Sequence, residues 1–179
     1  MNNLFSLDRI KLIFHLFHHQ KLLSFFLLII LICSCSDVHK KLSDGQIQQE
    51  KKIIKQVIND NIGWALTKNL SLLYSTLMQD STLLIINPDE SMLEGFDEVE
   101  ETTESFWMDP RFKATHSEIK NLRISISKSG NTAWYFCYLD DFGEWDGREY
   151  KWENARWTGV LEKVKGKWVI CQMHISFPN

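Results

Sequence analysis

Between positions 47 and 62 apolar residues recur at spacings of three and four. Ile47, Ile53, Ile54, Val57, Ile58 and Ile62 stand among Gln, Glu, Lys and Asn, the pattern of an amphipathic helix. Asp44 is placed to cap its start. Gly63 interrupts the pattern, and residues 66–77 then bring Leu70, Leu73, Tyr74 and Leu77 to one face of a second helix. Residues 81–87 read as a Leu- and Ile-rich strand. It stops at Asn87-Pro88-Asp89, where proline fixes its own φ and biases its predecessor away from helix. After Gly95, residues 96–108 space Phe96, Val99, Phe106 and Trp107 within an acidic surface, a third helix ended by Pro110. The period then changes to that of strands. Residues 115–127 carry Ile119, Leu122, Ile124 and Ile126; Ser129-Gly130-Asn131 turns the chain; residues 132–140 are rich in aromatic and β-favouring side chains. A loop over 141–147 leads to a strand over 149–164, and Lys165-Gly166 makes a hairpin turn into a closing strand. Helices first and long antiparallel strands afterwards predict an α+β domain: three N-terminal helices packed on a curved, mainly antiparallel mixed sheet.

The closing hairpin holds the candidate chemistry. With a two-residue turn, Val164 pairs with Lys167, Gly159 faces Gln172 and Trp157 faces His174. Trp157, Gly159, Gln172 and His174 then share one face with Leu161 and Ile170, and Gly159 leaves a gap beside Gln172. A hollow beside polar groups is what a ligand site needs. His174 reads either as a ligand contact with acid/base capacity or as a buried histidine bonded to a carbonyl. Tyr135 and Cys137 share a parity with Ala133 and Leu139, facing a cavity or filling the core. His116 opens a strand in an exposed setting. Arg156 is expected to pair with Glu153 or Asp140. Asp140-Asp141 could be read as paired carboxylates, but their place beside an acidic, Gly-containing loop favours a solvated turn. With Glu144 and Asp146 they lack the spacing of an EF-hand calcium loop. No metal-ligand spacing, nucleophile elbow or phosphate loop is present, so neither metal nor cofactor is expected.

The N-terminus changes the domain count. Residues 22–32 (LLSFFLLIILI) form an apolar run preceded by Arg9, Lys11 and Lys21, the layout of a secretory signal and short for a spanning helix, which needs about 20 residues. Ile32-Cys33-Ser34-Cys35 resembles a bacterial lipobox, with Cys35 as the lipidated residue after cleavage behind Ser34; an uncleaved anchor is the other reading. The expected organisation is 1–34 signal peptide, 35–46 tether and 47–179 domain. The chain would then be a membrane-anchored lipoprotein of the cell envelope, in the outer membrane if the cell has one. Of 179 residues, 44% are hydrophobic and 24% charged, which suits one globular domain. Removal of the first 34 residues leaves 17 basic against 22 acidic side chains. This balance disfavours nucleic acid and anionic membrane surfaces as partners. Cys137 and Cys171 alone remain beyond Cys35 and read as two thiols rather than a disulfide framework.

Four features taken together resemble the SnoaL-like branch of the nuclear transport factor two-like superfamily. They are Leu84 to Ser91 (LIINPDES) followed by Gly95; Ala133-Trp134 opening a strand; Arg156-Trp157-Thr158-Gly159-Val160-Leu161; and Gly166-Lys167-Trp168 leading to His174-Ile175-Ser176-Phe177-Pro178. The resemblance implies a cone-shaped cavity between helices and sheet, and a convex sheet face that often forms homodimers. It is specific for fold, not for activity. Relatives often carry a small residue where Trp157 stands. The isomerases of the superfamily use a carboxylate base with an oxyanion-binding pair, a set not recognisable along this chain. Its 22 Trp, Tyr and Phe residues suit an apolar ligand. Three functional readings follow: a lipid-anchored domain binding a small, largely apolar molecule through Trp157, Gly159, Gln172, His174 and Tyr135; an isomerase or lyase with His174 as acid/base; and a non-catalytic dimerising module.

Overall fold

The computed structural model describes residues 42–89 and 91–177. The signal segment, the lipobox and Cys35 lie outside the described residues. Among the described residues no helix is long and apolar enough to cross a membrane.

Helix α1, Asp44–Thr67, starts a turn earlier than the periodicity predicts. Ser43, not Asp44, is its cap: the Ser43 hydroxyl accepts the Gln46 N–H while the Gln46 side chain accepts the Ser43 N–H, a reciprocal capping box. Gly63 does not interrupt it, because one glycine weakens a helix by only about 1 kcal/mol. Burial of Ile54, Ile58, Asn61 and Trp64 along one stripe holds the helix on the sheet. The chain leaves α1 at Lys68, which adopts φ 52°, and Asn69 caps α2, Leu70–Ser75, by accepting the Leu72 N–H at 3.1 Å. Strands β1, Leu84–Ile86, and β2, Met92–Glu94, form a short hairpin. Helix α3, Phe96–Thr102, opens into a wider π turn over Thr103–Trp107, closed by Met108 N–H donating to Thr103 C=O at 2.9 Å.

Four long strands follow: β3, Phe112–Ile126; β4, Thr132–Trp145; β5, Arg148–Val164; and β6, Lys167–Ser176. The six strands form one mixed, curved, open sheet in the order β2-β1-β6-β5-β4-β3; β1 runs parallel to β6 and the other neighbours are antiparallel. Register shifts interrupt β3/β4 twice and β4/β5 and β5/β6 once each. Bulges of this kind bend a strand and raise its twist, so the sheet curls around the stripe of α1.

Two expectations fail here. The loop over 141–147 is strand through Trp145, with Asp146-Gly147 alone as the turn into β5; φ is 52° at Asp146 and 77° at Gly147, as a two-residue type I′ hairpin turn requires. The uninterrupted register of the closing hairpin is also wrong. Pairing runs from Val164↔Lys167 to Leu161↔Ile170, then jumps to Val160↔Gln172 and Gly159↔Met173. Cys171 is the extra residue, and beyond it every β6 side chain changes face.

Candidate functional site

The inner face of the sheet, α1 and the π turn enclose a cavity of about 110 Å³. Trp64 projects into it from α1 and Trp107 from the π turn, their rings edge to face at 5.9 Å. Phe112 enters from the start of β3, and Trp152 and Trp157 both enter from β5. Those two tryptophans are an odd number of residues apart and would face opposite ways on a regular strand. The β4/β5 bulge brings them together: Leu139 pairs with Ala155 but Asp141 pairs with Trp152, so β5 carries one residue more than β4. Met173 and Ile175 of β6 close the floor, on the inner face because Cys171 has shifted the alternation.

Alternation along β4 separates the two neighbouring aspartates. Asp140 stands opposite the extra β5 residue, where its carboxylate accepts the Asn154 N–H at 2.8 Å and binds Lys120 Nζ at 2.7 Å. These bonds hold its carboxyl below the usual range. Asp141 instead lines the cavity. Among the described residues it makes no ion pair and no side-chain hydrogen bond, and burial alone pushes its carboxyl up to about 7. Tyr150, across on β5, is raised first by its own burial and then by the Asp141 charge. The other polar side chains on the wall are Asn61 and Asn87. Each donates through its amide nitrogen to a hydroxyl, Asn61 to Thr76 Oγ1 at 2.9 Å and Asn87 to Ser91 Oγ at 3.1 Å. Among the described residues, two buried groups have no hydrogen-bond partner, the Tyr135 hydroxyl and Trp157 Nε1.

Asp141, expected with Asp140 in a solvated turn, lies instead within β4 and on the cavity wall. Asp and Gly are rare in strands, so Asp141, Gly143, Asp146 and Gly147 together looked like a loop. The aromatic residues Phe142 and Trp145, at β-favouring positions, were the signal that the strand continues. Gly143 is required within it: the ring of Tyr150 and the Lys113 carbonyl would each lie 2.5 Å from an added Cβ.

The structure divides the expected site residues. Trp157 is on the cavity wall and Tyr135 is buried on the same inner face, their rings edge to face at 5.3 Å. The gap at Gly159 is already filled, because Tyr135 Cε1 would sit 2.5 Å from a Cβ there. Gln172 and His174 do not share this face. With Met173 and Ile175 turned inward, both face the other side of the sheet, His174 paired with Thr158 and Gln172 with Val160. Gln172 borders a shallow outer groove with Arg123, Trp134, Phe136, Thr158 and Val160. Cys137 is buried on β4 and Cys171 partly buried on β6, with β5 between them, and both are free thiols. Arg156 is exposed and makes no ion pair among the described residues, since Asp140 is taken by Lys120. His116 is exposed and lies 5.3 Å from the Phe142 ring. No cluster of three or more potential metal ligands occurs among the described residues.

Comparison with solved structures places this architecture among known folds. The chain superposes on a nuclear transport factor 2 (NTF2-like) superfamily protein from Salmonella enterica serovar Typhimurium with a TM-score of 0.64 and 19% identity, covering 76% of this chain and 94% of that one. A candidate dehydratase of the NTF2-like family from Streptomyces avermitilis gives a TM-score of 0.61 at 13% identity, over 74% of this chain and 98% of the other. The association domain of C. elegans CaMKII gives 0.55 at 15% identity, over 75% and 100%. These identities establish a shared fold alone. No curated protein sequence matches the chain. The family profile of the SnoaL-like domain matches residues 54–179, from the middle of α1 through β6. The chain therefore belongs to the SnoaL-like domain family, within the NTF2-like superfamily.

Proposed function

We propose that this protein is a small-molecule-binding domain held at the cell envelope by a lipid on Cys35, with the cavity between α1 and the inner sheet face as its ligand site. The observation that carries this reading is the cavity wall itself: aromatic and aliphatic side chains around about 110 Å³, with one unpaired carboxyl, Asp141. Asp141 is partly buried, and drawing an unpaired carboxyl even partly out of water costs free energy that a ligand or cavity water would return. The space sets the size of ligand. An apolar cavity of about 150 Å³ takes a benzene ring, so this one suits a molecule of roughly five heavy atoms. Ala65 lies on the wall, and Ala65→Phe should fill the space. Small apolar probes should then raise the melting temperature of the parent protein and not of the variant; equal shifts in both would place binding elsewhere. Anchoring is tested separately, since Cys35→Ala should move the protein from the membrane fraction to the soluble one.

An enzymatic reading is favoured by one observation. A carboxyl titrating near 7 inside an apolar cavity can both take and give a proton. Asp141 therefore replaces His174 as the acid/base candidate. The reaction class is then isomerisation or elimination on a small substrate.

A further inference from the structure

Five aromatic rings and one carboxyl are an unusual wall for so small a space. Trp64, Trp107, Phe112, Trp152 and Trp157 surround the cavity with Asp141. Aromatic faces carry negative potential and attract cations, tryptophan most strongly. None of the lining residues is Lys, Arg or His. Lys68 Nζ lies 5.6 Å from the centre of the Phe112 ring, but among the described residues no cation is placed over the four tryptophans of the wall or paired with the carboxylate. The two asparagines keep their carbonyl oxygens as acceptors, one amide proton of each being given to Thr76 or Ser91. The one carboxylate on this wall and the faces of its four tryptophans therefore favour a positive ligand.

We propose that the cavity is an aromatic cage for a small organic cation, an alkylated ammonium of roughly five heavy atoms, with Asp141 as its counterion. This rests on the cavity being a ligand site and specifies what that site takes. An alkylammonium ion offers methyl groups to the rings and spreads its charge over them. Its desolvation cost is lower than that of a metal ion or a primary ammonium, which suits a wall with few hydrogen-bonding groups. Asp141 supplies the formal charge that the rings lack. Of the titratable groups around it, Tyr150 on β5 stays neutral through the ordinary pH range, and the neighbouring Asp140 is neutralised by Lys120. Lys68, over the Phe112 ring, donates to the Asp109 carbonyl, and an ordinary lysine keeps a constant charge between about pH 6 and 8, so ionisation of Asp141 governs how the charge of the cage changes over that range.

The test compares tetramethylammonium with tert-butanol, which has the same number of heavy atoms, no charge, and a hydroxyl able to accept from Trp157 Nε1. With four tryptophans on the wall, intrinsic fluorescence reports occupancy of the intact domain. Tetramethylammonium should bind at least tenfold more tightly than tert-butanol at pH 8. Its affinity should fall about tenfold at pH 6, where Asp141 is mostly protonated, while that of tert-butanol stays level. Asp141→Asn, which keeps the shape of the side chain, should remove both the preference and the pH dependence. Tighter binding of tert-butanol, or equal binding of the two, would overturn the cation cage and leave the cavity standing as a site for neutral molecules. No response to either probe, with Ala65→Phe also unresponsive, would overturn the site and the cage together. Should Asp141→Asn fail to fold, the pH comparison on the parent protein decides alone.

Discussion

At the scale of the residue, Asp141 is a strain the fold tolerates. Its carboxyl sits near 7 in the folded protein against about 3.9 in an unfolded chain. Between those values the folded state holds a proton that the unfolded state has lost, so stability falls as pH rises through that window. Above about 7 both states are ionised and the penalty is complete. Asp141→Asn removes the penalty, and we expect it to stabilise the domain at pH 8 by on the order of 2 to 4 kcal/mol while changing little near pH 4. Urea unfolding at the two pH values measures it, and a variant less stable than the parent at pH 8 would show that Asp141 has a stabilising partner. Removal of a destabilising group from a binding site is a familiar route to a firmer, less active protein. Asp140 behaves oppositely one position away, because alternation turns it to the other face, where Lys120 and the Asn154 amide of the β5 bulge meet it.

At the scale of the element, Glu50 is the clasp between α1 and the closing hairpin. Its two oxygens accept from Lys163 Nζ of β5 and Trp168 Nε1 of β6, each at 2.6 Å. Burial opposes ionisation of Glu50, but these bonds outweigh it and hold the carboxyl below its usual value. The stability it contributes is present above the unfolded pKa of about 4.3 and is lost as pH falls through the folded one. Glu50→Gln keeps the shape and leaves the half-buried Lys163 ammonium without its counterion, so we expect a loss of about 1 to 2 kcal/mol at pH 7, read as a lower urea midpoint with unchanged slope; no loss would mean that water replaces the carboxylate. The elements that the sequence made legible are those with a strong local period. The stripe of Ile54 and Ile58, the Lys165-Gly166 turn and the strand opened by Ala133-Trp134 are all where the pattern puts them. The failures concentrate at bulges. One inserted residue at Cys171 turns Gln172 and His174 outward, and one on β5 brings Trp152 inward to meet Asp141, which keeps the inward parity of Leu139 on β4. Alternation carries no mark of where a strand gains a residue, so the family and its cavity could be read from the chain while the facing of Gln172 and His174 could not. Asp141 shares the parity of Leu139 and was hidden for another reason: the Asp and Gly residues after Asp140 look like a loop.

At the scale of the whole molecule, the sheet has two faces with different work. The inner face is closed by helices, whereas the outer face of β4 and β5 leaves Trp134 50% exposed beside Phe136, Thr158 and Val160. A half-exposed tryptophan next to other apolar groups at the middle of a sheet is the composition of an interface core rather than of a solvated surface. The family resemblance implies pairing through this convex face, and anchoring through Cys35 would hold copies in one plane and raise their effective concentration. We therefore expect the domain freed of residues 1–35 to sediment as a dimer at micromolar concentration. Trp134→Glu would bury an unpaired carboxylate in such an interface, at a cost of several kcal/mol, and should give a monomer. Because Trp134 points away from the cavity, the variant should keep its circular dichroism and its response to cavity probes, which separates loss of association from loss of fold. A parent domain that stays monomeric at about 100 μM, well above the dissociation constant that a standard-sized interface would give, would show that the outer face serves something other than a second copy of this chain.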